Sequence, residues 1–89
     1  MKAVITVVGA DRVGIIAHVS NKCLEYNVNI LDITQHVVDD YFTMTMVADI
    51  EKASVPFTEF VDIMAQLGQS LELVIHTMHE DIFNSMHRI

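Results

Sequence analysis

The segment between residues 9 and 14 combines two glycines with a pair of opposite charges. Gly9 ends an apolar run, Asp11 and Arg12 follow it, and Gly14 precedes a segment with helical spacing. Backbone amides at the start of a helix can bind phosphate or carboxylate groups. The glycines lie too close together for a P-loop, no Lys-Ser/Thr follows, and the dinucleotide-binding motif needs a third glycine. Two interpretations remain, a loop that receives a small carboxylate and a plain tight turn.

A second group of possible ligands lies near the C-terminus. It consists of His76, His79, Glu80 and His87. Imidazole and carboxylate groups suit zinc or nickel, but this spacing matches no strong zinc motif. The alternative is a solvated polar face opposite the apolar residues of the same segment. The sequence predicts no cofactor.

The sequence contains no arrangement that predicts catalysis. No histidine is paired in sequence with a candidate nucleophile, and Ser20 has no obvious base beside it. The single cysteine, Cys23, falls among the apolar positions of a predicted helix, so we expect a buried thiol. We therefore expect that the chain is not an enzyme.

Composition restricts the partners of the chain. Five lysines and arginines against twelve acidic residues give a net charge of −7, which argues against binding to nucleic acid or to an anionic membrane surface. The apolar run at the N-terminus is too short to span a membrane or to form a signal peptide, so we expect a cytoplasmic protein. The 89 residues are 52% hydrophobic, which suits one domain that leaves apolar surface for a second chain.

The apolar pattern switches between strand and helix periodicity along the chain. It predicts a strand, a helix, two strands, a helix and a strand over residues 3–8, 14–26, 29–38, 41–50, 57–68 and 71–78. We expect Asp11 to be the N-cap of the first helix, Asn27 to end it, and Gly68 to end the second helix.

This order of elements is the split βαβ arrangement of ferredoxin-like folds, in the α+β class. It gives a four-stranded antiparallel sheet of order 4-1-3-2 with both helices on one face. We assign residues 1–78 to this domain and residues 79–89 to an extension, a short helix that packs on the domain. Residues 29–38 form an edge strand that is apolar on both faces, so we expect a dimer contact through this strand or through the open sheet face.

Three segments resemble the pattern of ACT domains: DRVGIIAHVS, then NVNILDITQHVV, then FTM. The chain is especially similar to the small stand-alone ACT proteins of bacteria and archaea and to the ACT halves of the glycine cleavage system repressor. The resemblance covers residues 4–78. It implies a regulatory domain, usually dimeric, that senses an amino acid or a related small metabolite. Since the chain carries no second domain, its output would pass through a separate regulatory protein.

In many ACT domains the ligand lies between two subunits. The resemblance implies ligand-binding positions at Ala10, Asp11, Arg12, Val13 and Gly14 of one subunit and at Asn29 and Ile30 of the other. Amino-acid-binding members often carry an amide where this chain has Asp11. An ionised Asp11 only accepts hydrogen bonds, so it suits the ammonium group of a ligand. The alternative is that Asp11 pairs with Arg12 or with the helix amides, and that the domain is a ligand-free interaction module.

Overall fold

The structure is a computed structural model that describes residues 1–10 and 12–86. The elements follow the predicted order, including a short helix after the last strand. They are β1 (Lys2–Ala10), α1 (Ile15–Glu25), β2 (Asn29–Val38), β3 (Tyr41–Asp49), α2 (Phe57–Ser70), β4 (Leu73–His79) and α3 (Glu80–Met86). None of the helices in this part of the chain has the length and apolar character needed to cross a membrane.

The four strands form one sheet in the order β2-β3-β1-β4, and every neighbouring pair is antiparallel. The predicted ferredoxin-like fold is therefore confirmed. Alternate residues of the strands pack against α1 and α2 in a single core. Its fully buried members include Ile5, Val7, Val19, Cys23, Met46, Phe60 and Met64. The predicted core role of the methionines in β3 and α2 is correct, because Met44 is buried as well.

The ends of α1 differ in how well the sequence predicts them. Asn27 adopts a left-handed conformation with φ of 60°, just after the helix, as expected from its tolerance of that region. The N-cap of α1 is Gly14, with φ of 91°, and the helix begins at Ile15. The assignment of Asp11 as the N-cap is therefore wrong by three positions, and Asp11 itself lies outside the described residues.

Gly68 does not end α2, which continues to Ser70. It is buried where the helix meets β4, and a Cβ atom at this position would lie 2.8 Å from the carbonyl oxygen of Leu73. A glycine is needed here because the backbones of α2 and β4 approach each other closely. This contact cannot be recognised when glycine is taken as a residue that ends a helix. As a consequence β4 begins at Leu73, two residues later than predicted.

The short helix α3 follows β4 without a loop and contacts β1 and β4. Its first turn is capped by His79, whose Nδ1 accepts a hydrogen bond from the Asp81 N–H at 3.1 Å. Val4 points away from α1 and α2, yet it is only 3% exposed, whereas Val8 on the same face is 46% exposed. We attribute this difference to α3, which covers the Val4 end of that face and leaves the Val8 end open.

β2 is the edge strand that the sequence predicts. All its residues are exposed except Ile30, which is half-buried, and the strand is irregular between Ile30 and Asp32. Four apolar side chains remain in contact with solvent along this edge, at Leu31, Ile33, Val37 and Val38.

Candidate ligand-binding site

The loop after β1 exposes the N-terminus of α1. Ala10 is the exposed last residue of β1, and the side chain of Val13 is fully exposed. Gly14 occupies the N-cap and has no side chain that could accept a hydrogen bond from the first turn. Since the first amides of a helix have no partner within the helix, this end favours a negatively charged group.

Arg12, in the same loop, is paired with the protein's own carboxylate. Its guanidinium lies 3.6 Å from Glu72, the residue that precedes β4. Both side chains are exposed, so the ion pair is weak. The ion pair nevertheless connects the loop to the residue before β4. The two segments are close because Gly9 at the end of β1 and Leu73 at the start of β4 are neighbours in the sheet. A ligand carboxylate would have to compete with Glu72 for Arg12.

Asn29 is the exposed first residue of β2, and it lines a pocket of about 380 Å³ at the C-terminal end of α1. The other lining residues are Leu24, Asn27, Val28, Asp49 and Lys52. The Asn27 side-chain amide donates to the carbonyl of Lys52 at 2.8 Å and so fixes one wall of the pocket. Ile30, the second predicted residue of this half, is half-buried and packs against the core.

Sequence reasoning missed the two charged residues of this pocket. The Asp49 carboxylate accepts a hydrogen bond from the Glu51 N–H at 3.0 Å and lies 4.0 Å from the N-terminal ammonium group. The Lys52 ammonium has no carboxylate within ion-pair distance among residues 1–10 and 12–86. A regular two-residue hairpin would place Asn29 opposite residue 50. The irregularity in β2 shifts it to Asp49, and nothing in the sequence marks that shift.

The two predicted halves of the site lie at opposite ends of the sheet. Asn29 is paired with Asp49, which is paired with Lys2 at the start of β1. The loop instead follows Ala10 at the end of the same strand. At about 3.3 Å per residue, the eight steps of β1 separate the halves by about 26 Å. Within one chain they do not meet.

Comparison with known proteins identifies the family. The sequence model of the ACT domain family matches residues 2–79 of this chain. This chain belongs to the ACT domain family. ACT domains are regulatory domains that generally dimerise and bind amino acids.

Three relatives illustrate the similarity. A UPF0237 protein of Clostridium perfringens is 51% identical over 89 residues, which is the whole of both chains. An ACT domain protein from Streptococcus pneumoniae superposes with a TM-score of 0.82 at 43% identity, over 93% of each chain. A putative glycine cleavage system transcriptional repressor superposes with a TM-score of 0.71 at 27% identity, over 89% of this chain and 47% of that one. The predicted family resemblance is thereby confirmed.

The candidate metal ligands that the structure describes do not converge. His76 and His79 lie three residues apart on β4, so their side chains point to opposite faces of the sheet. The Nδ1 atom of His79 already accepts the hydrogen bond that caps α3. Within residues 1–10 and 12–86, no three His, Cys, Asp or Glu side chains are arranged to hold a metal ion. His87 lies outside the described residues.

Cys23 is the core thiol that its position in the apolar stripe predicts. Its side chain is fully buried on α1, and this burial raises the pKa of the thiol to about 11. Because the thiolate is the reactive form, this cysteine is inert at neutral pH.

Proposed function

We propose that this ACT domain senses a small amino acid as a homodimer and passes the bound state to another protein, as a regulatory domain and not as an enzyme. Membership of the ACT family supports the sensing role. The observation that carries the dimer is the separation of about 26 Å between the loop of residues 10–14 and Asn29. A small amino acid is far too short to contact both halves within one chain, so a shared ligand needs two chains.

The edge strand supports one arrangement of these chains. Val38, at the end of β2, is paired with Tyr41, which is paired with Ala10, so the loop lies at the Val38 end of the sheet. If β2 pairs with β2 of a second copy in antiparallel fashion, the Asn29 end of one copy lies beside the Val38 end of the other. The loop leads into α1, which packs towards β2, so it approaches the partner's Asn29. The exposed apolar side chains of β2 would be buried in the same contact.

The two halves would supply complementary chemistry. The first amides of α1, which receive no side-chain cap from Gly14, suit a carboxylate, and the Asn29 side chain can both donate and accept. Lys52 adds a positive charge beside Asn29. Asp11, as the sequence predicts, would accept hydrogen bonds from the ammonium group of the ligand. Together these groups match a zwitterion better than they match a simple anion or cation.

Binding between subunits gives a mechanism for regulation. A ligand that contacts both chains binds the dimer more tightly than the separated chains, and only such a difference in affinity transmits a signal. The state of the dimer would then be read by a separate protein. The cytoplasmic location stays a prediction from the sequence.

Thermal unfolding in the presence of each of the twenty amino acids tests the sensing role. At 100 times its dissociation constant, a ligand adds about 2.7 kcal/mol to the free energy of unfolding. For a chain of this size that corresponds to a rise in Tm of about 10–20 °C. We expect Asn29→Ala to abolish the rise and Asn21→Ala, the same change at an exposed position of α1, to leave it intact.

Mixing two variants tests whether the site is shared. An Asn29→Ala chain keeps its loop, and an Asp11→Ala chain keeps its Asn29, so a mixed dimer contains one intact site and one doubly altered site. We expect the mixture to recover part of the ligand response that each variant alone has lost. A mixture without recovery would mean that both halves act within one chain or that no shared site exists.

A second candidate function is a ligand-free dimerisation module. The apolar edge of β2 favours it, because an exposed apolar edge strand invites pairing with another chain whether or not a ligand is present. If no amino acid raises the Tm and the chain is still dimeric at micromolar concentration, this second function replaces the first.

A further inference from the structure

The pocket at the C-terminal end of α1 has walls that hydrogen bonds fix in place. Two bonds tie the connection between β3 and α2 to the turn after α1. The side-chain amide of Asn27 donates to the carbonyl of Lys52 at 2.8 Å. The Ser54 N–H donates to the carbonyl of Tyr26 at 2.9 Å. The volume of about 380 Å³ lies within the range of small-molecule sites, roughly 300–1,000 Å³. The pocket is therefore formed within a single chain before any ligand arrives.

The backbone carbonyls at the end of α1 already have donors. The Val28 N–H donates to the carbonyl of Cys23 at 2.8 Å. The Asn27 N–H donates to the carbonyl of Leu24 at 3.1 Å. Free carbonyls at the end of a helix favour a cation. Because these carbonyls are engaged, the helix end attracts a cation into the pocket only weakly.

The two charged side chains of the pocket differ in their partners. The Asp49 carboxylate accepts the hydrogen bond from Glu51 and lies 4.0 Å from the N-terminal ammonium group. The Lys52 ammonium has no carboxylate within ion-pair distance in the described part of the chain. Charges more than about 8 Å away are largely screened at physiological ionic strength, so these near groups outweigh the net charge of −7. The charge that the pocket leaves without a partner is therefore positive.

The remaining wall of the pocket is uncharged. Leu24 and Val28 form its apolar part, and the Leu24 side chain is 78% exposed. The side-chain amide of Asn29 can donate a hydrogen bond to an anion. A short aliphatic chain that ends in a carboxylate would place its methylene groups against Leu24 and its charge beside Lys52 and Asn29. The pocket suits this kind of group better than a neutral or basic one.

Two separate groups attract a carboxylate in the proposed dimer, the first amides of α1 from one chain and Lys52 from the other. A neutral amino acid has a single carboxylate, so it leaves one of these groups without an anion. We propose that the ligand is an acidic amino acid. Its main-chain carboxylate binds the α1 amides, and its side-chain carboxylate binds Lys52 and Asn29 of the facing chain. Lys52 is then the residue that determines specificity. This assignment depends on the proposed function, because the pocket holds only one end of the ligand.

Pairs of amino acids that differ in one side-chain group test the proposal by isothermal titration. Glutamate and glutamine have the same length, and so have aspartate and asparagine, so each pair isolates the side-chain carboxylate. In at least one pair, we expect the acidic member to bind about tenfold more tightly than its amide, as a hydrogen bond between charged groups implies. Lys52→Gln should remove this preference by weakening the binding of the acidic member alone. Lys52→Glu should reverse the preference.

Lys22→Gln is the matched control. It makes the same change at a lysine of α1 that is paired with Glu25 at 3.1 Å and does not line the pocket. We expect this variant to keep the preference for the acidic member. The substitutions at Lys52 leave its backbone carbonyl in place, so the hydrogen bond from Asn27 stays available. Circular dichroism of each variant checks that the fold is kept.

The outcomes distinguish the acidic ligand from the sensing role. If a neutral or basic amino acid binds more tightly than both acidic ones, the domain is a sensor and the assignment of an acidic ligand is wrong. The assignment is equally wrong if Lys52→Gln keeps the full preference. If none of the twenty amino acids binds, the proposed function fails and the acidic ligand fails with it.

Discussion

Gly68 provides a sharp test of how α2 is seated on the sheet. Replacement by alanine adds one methyl group, which would lie 2.8 Å from the Leu73 carbonyl oxygen and 3.0 Å from the Ile75 side chain. The oxygen belongs to the backbone of β4, so the clash is relieved only if the helix or the strand moves. Overpacking of this kind costs about 1–3 kcal/mol. Alanine recovers about 1 kcal/mol through its higher helix propensity.

The expected net effect of Gly68→Ala is therefore a loss of up to about 2 kcal/mol, or a fall in Tm of up to about 15 °C. Calorimetry or urea unfolding measures it directly. Gly9→Ala is the matched control. Its closest contact is the end of the Leu73 side chain, which can rotate away, so we expect a smaller loss. If Gly68→Ala is instead about 1 kcal/mol more stable than the wild type, as helix propensity alone would make it, the close approach of α2 and β4 does not constrain this position, and our explanation of the glycine is wrong.

Two further predictions concern Cys23 and His79. Burial raises the pKa of the Cys23 thiol from 9.0 to about 11, so the folded state holds this proton more tightly than the unfolded state does. The resulting contribution to the free energy of unfolding is fully present below pH 9 and is lost as the pH rises towards 11. Urea unfolding at pH 8 and pH 10.5 should show a steeper loss for the wild type than for Cys23→Ala, and equal losses would contradict the assignment. His79→Ala removes the cap of α3, at a cost of about 1 kcal/mol, and should speed hydrogen exchange in α3 and at Val4 with little change at Met64 in α2. Unchanged exchange in α3 would show that the cap does not hold it.

The periodicity of the apolar residues determined most of the fold. In β3 strict alternation assigns Phe42, Met44 and Met46 to the core, and all three are buried. Two strand–helix–strand units of this kind have few ways to bury their apolar faces, so the antiparallel sheet and its strand order follow from the sequence. Asn27 illustrates a local feature of the same type, because its tolerance of positive φ is intrinsic to the residue.

The candidate site was predicted only in its parts. Gly14 is the N-cap of α1 and Asn29 is the first residue of β2, and their roles as ligand-binding positions stay a prediction. The distance between these two residues within one chain depends on how the strands pair. The neighbours of Asn29 depend on the same pairing. Asp49 faces Asn29 because β2 is irregular near its start, and Lys52 is held beside the pocket by the hydrogen bond from Asn27 to its carbonyl.

The sequence by itself determined the element order, the core side of β3 and the ACT family, because these depend on residue type and spacing along the chain. Only the tertiary structure decided the role of Gly68, the cover that α3 gives to Val4, and the distance between the two halves of the site. Each of these depends on contacts between elements that are distant in sequence. A close approach of two backbones, or a one-residue shift in strand register, changes these contacts and distances. The pattern of apolar residues along the sequence stays the same.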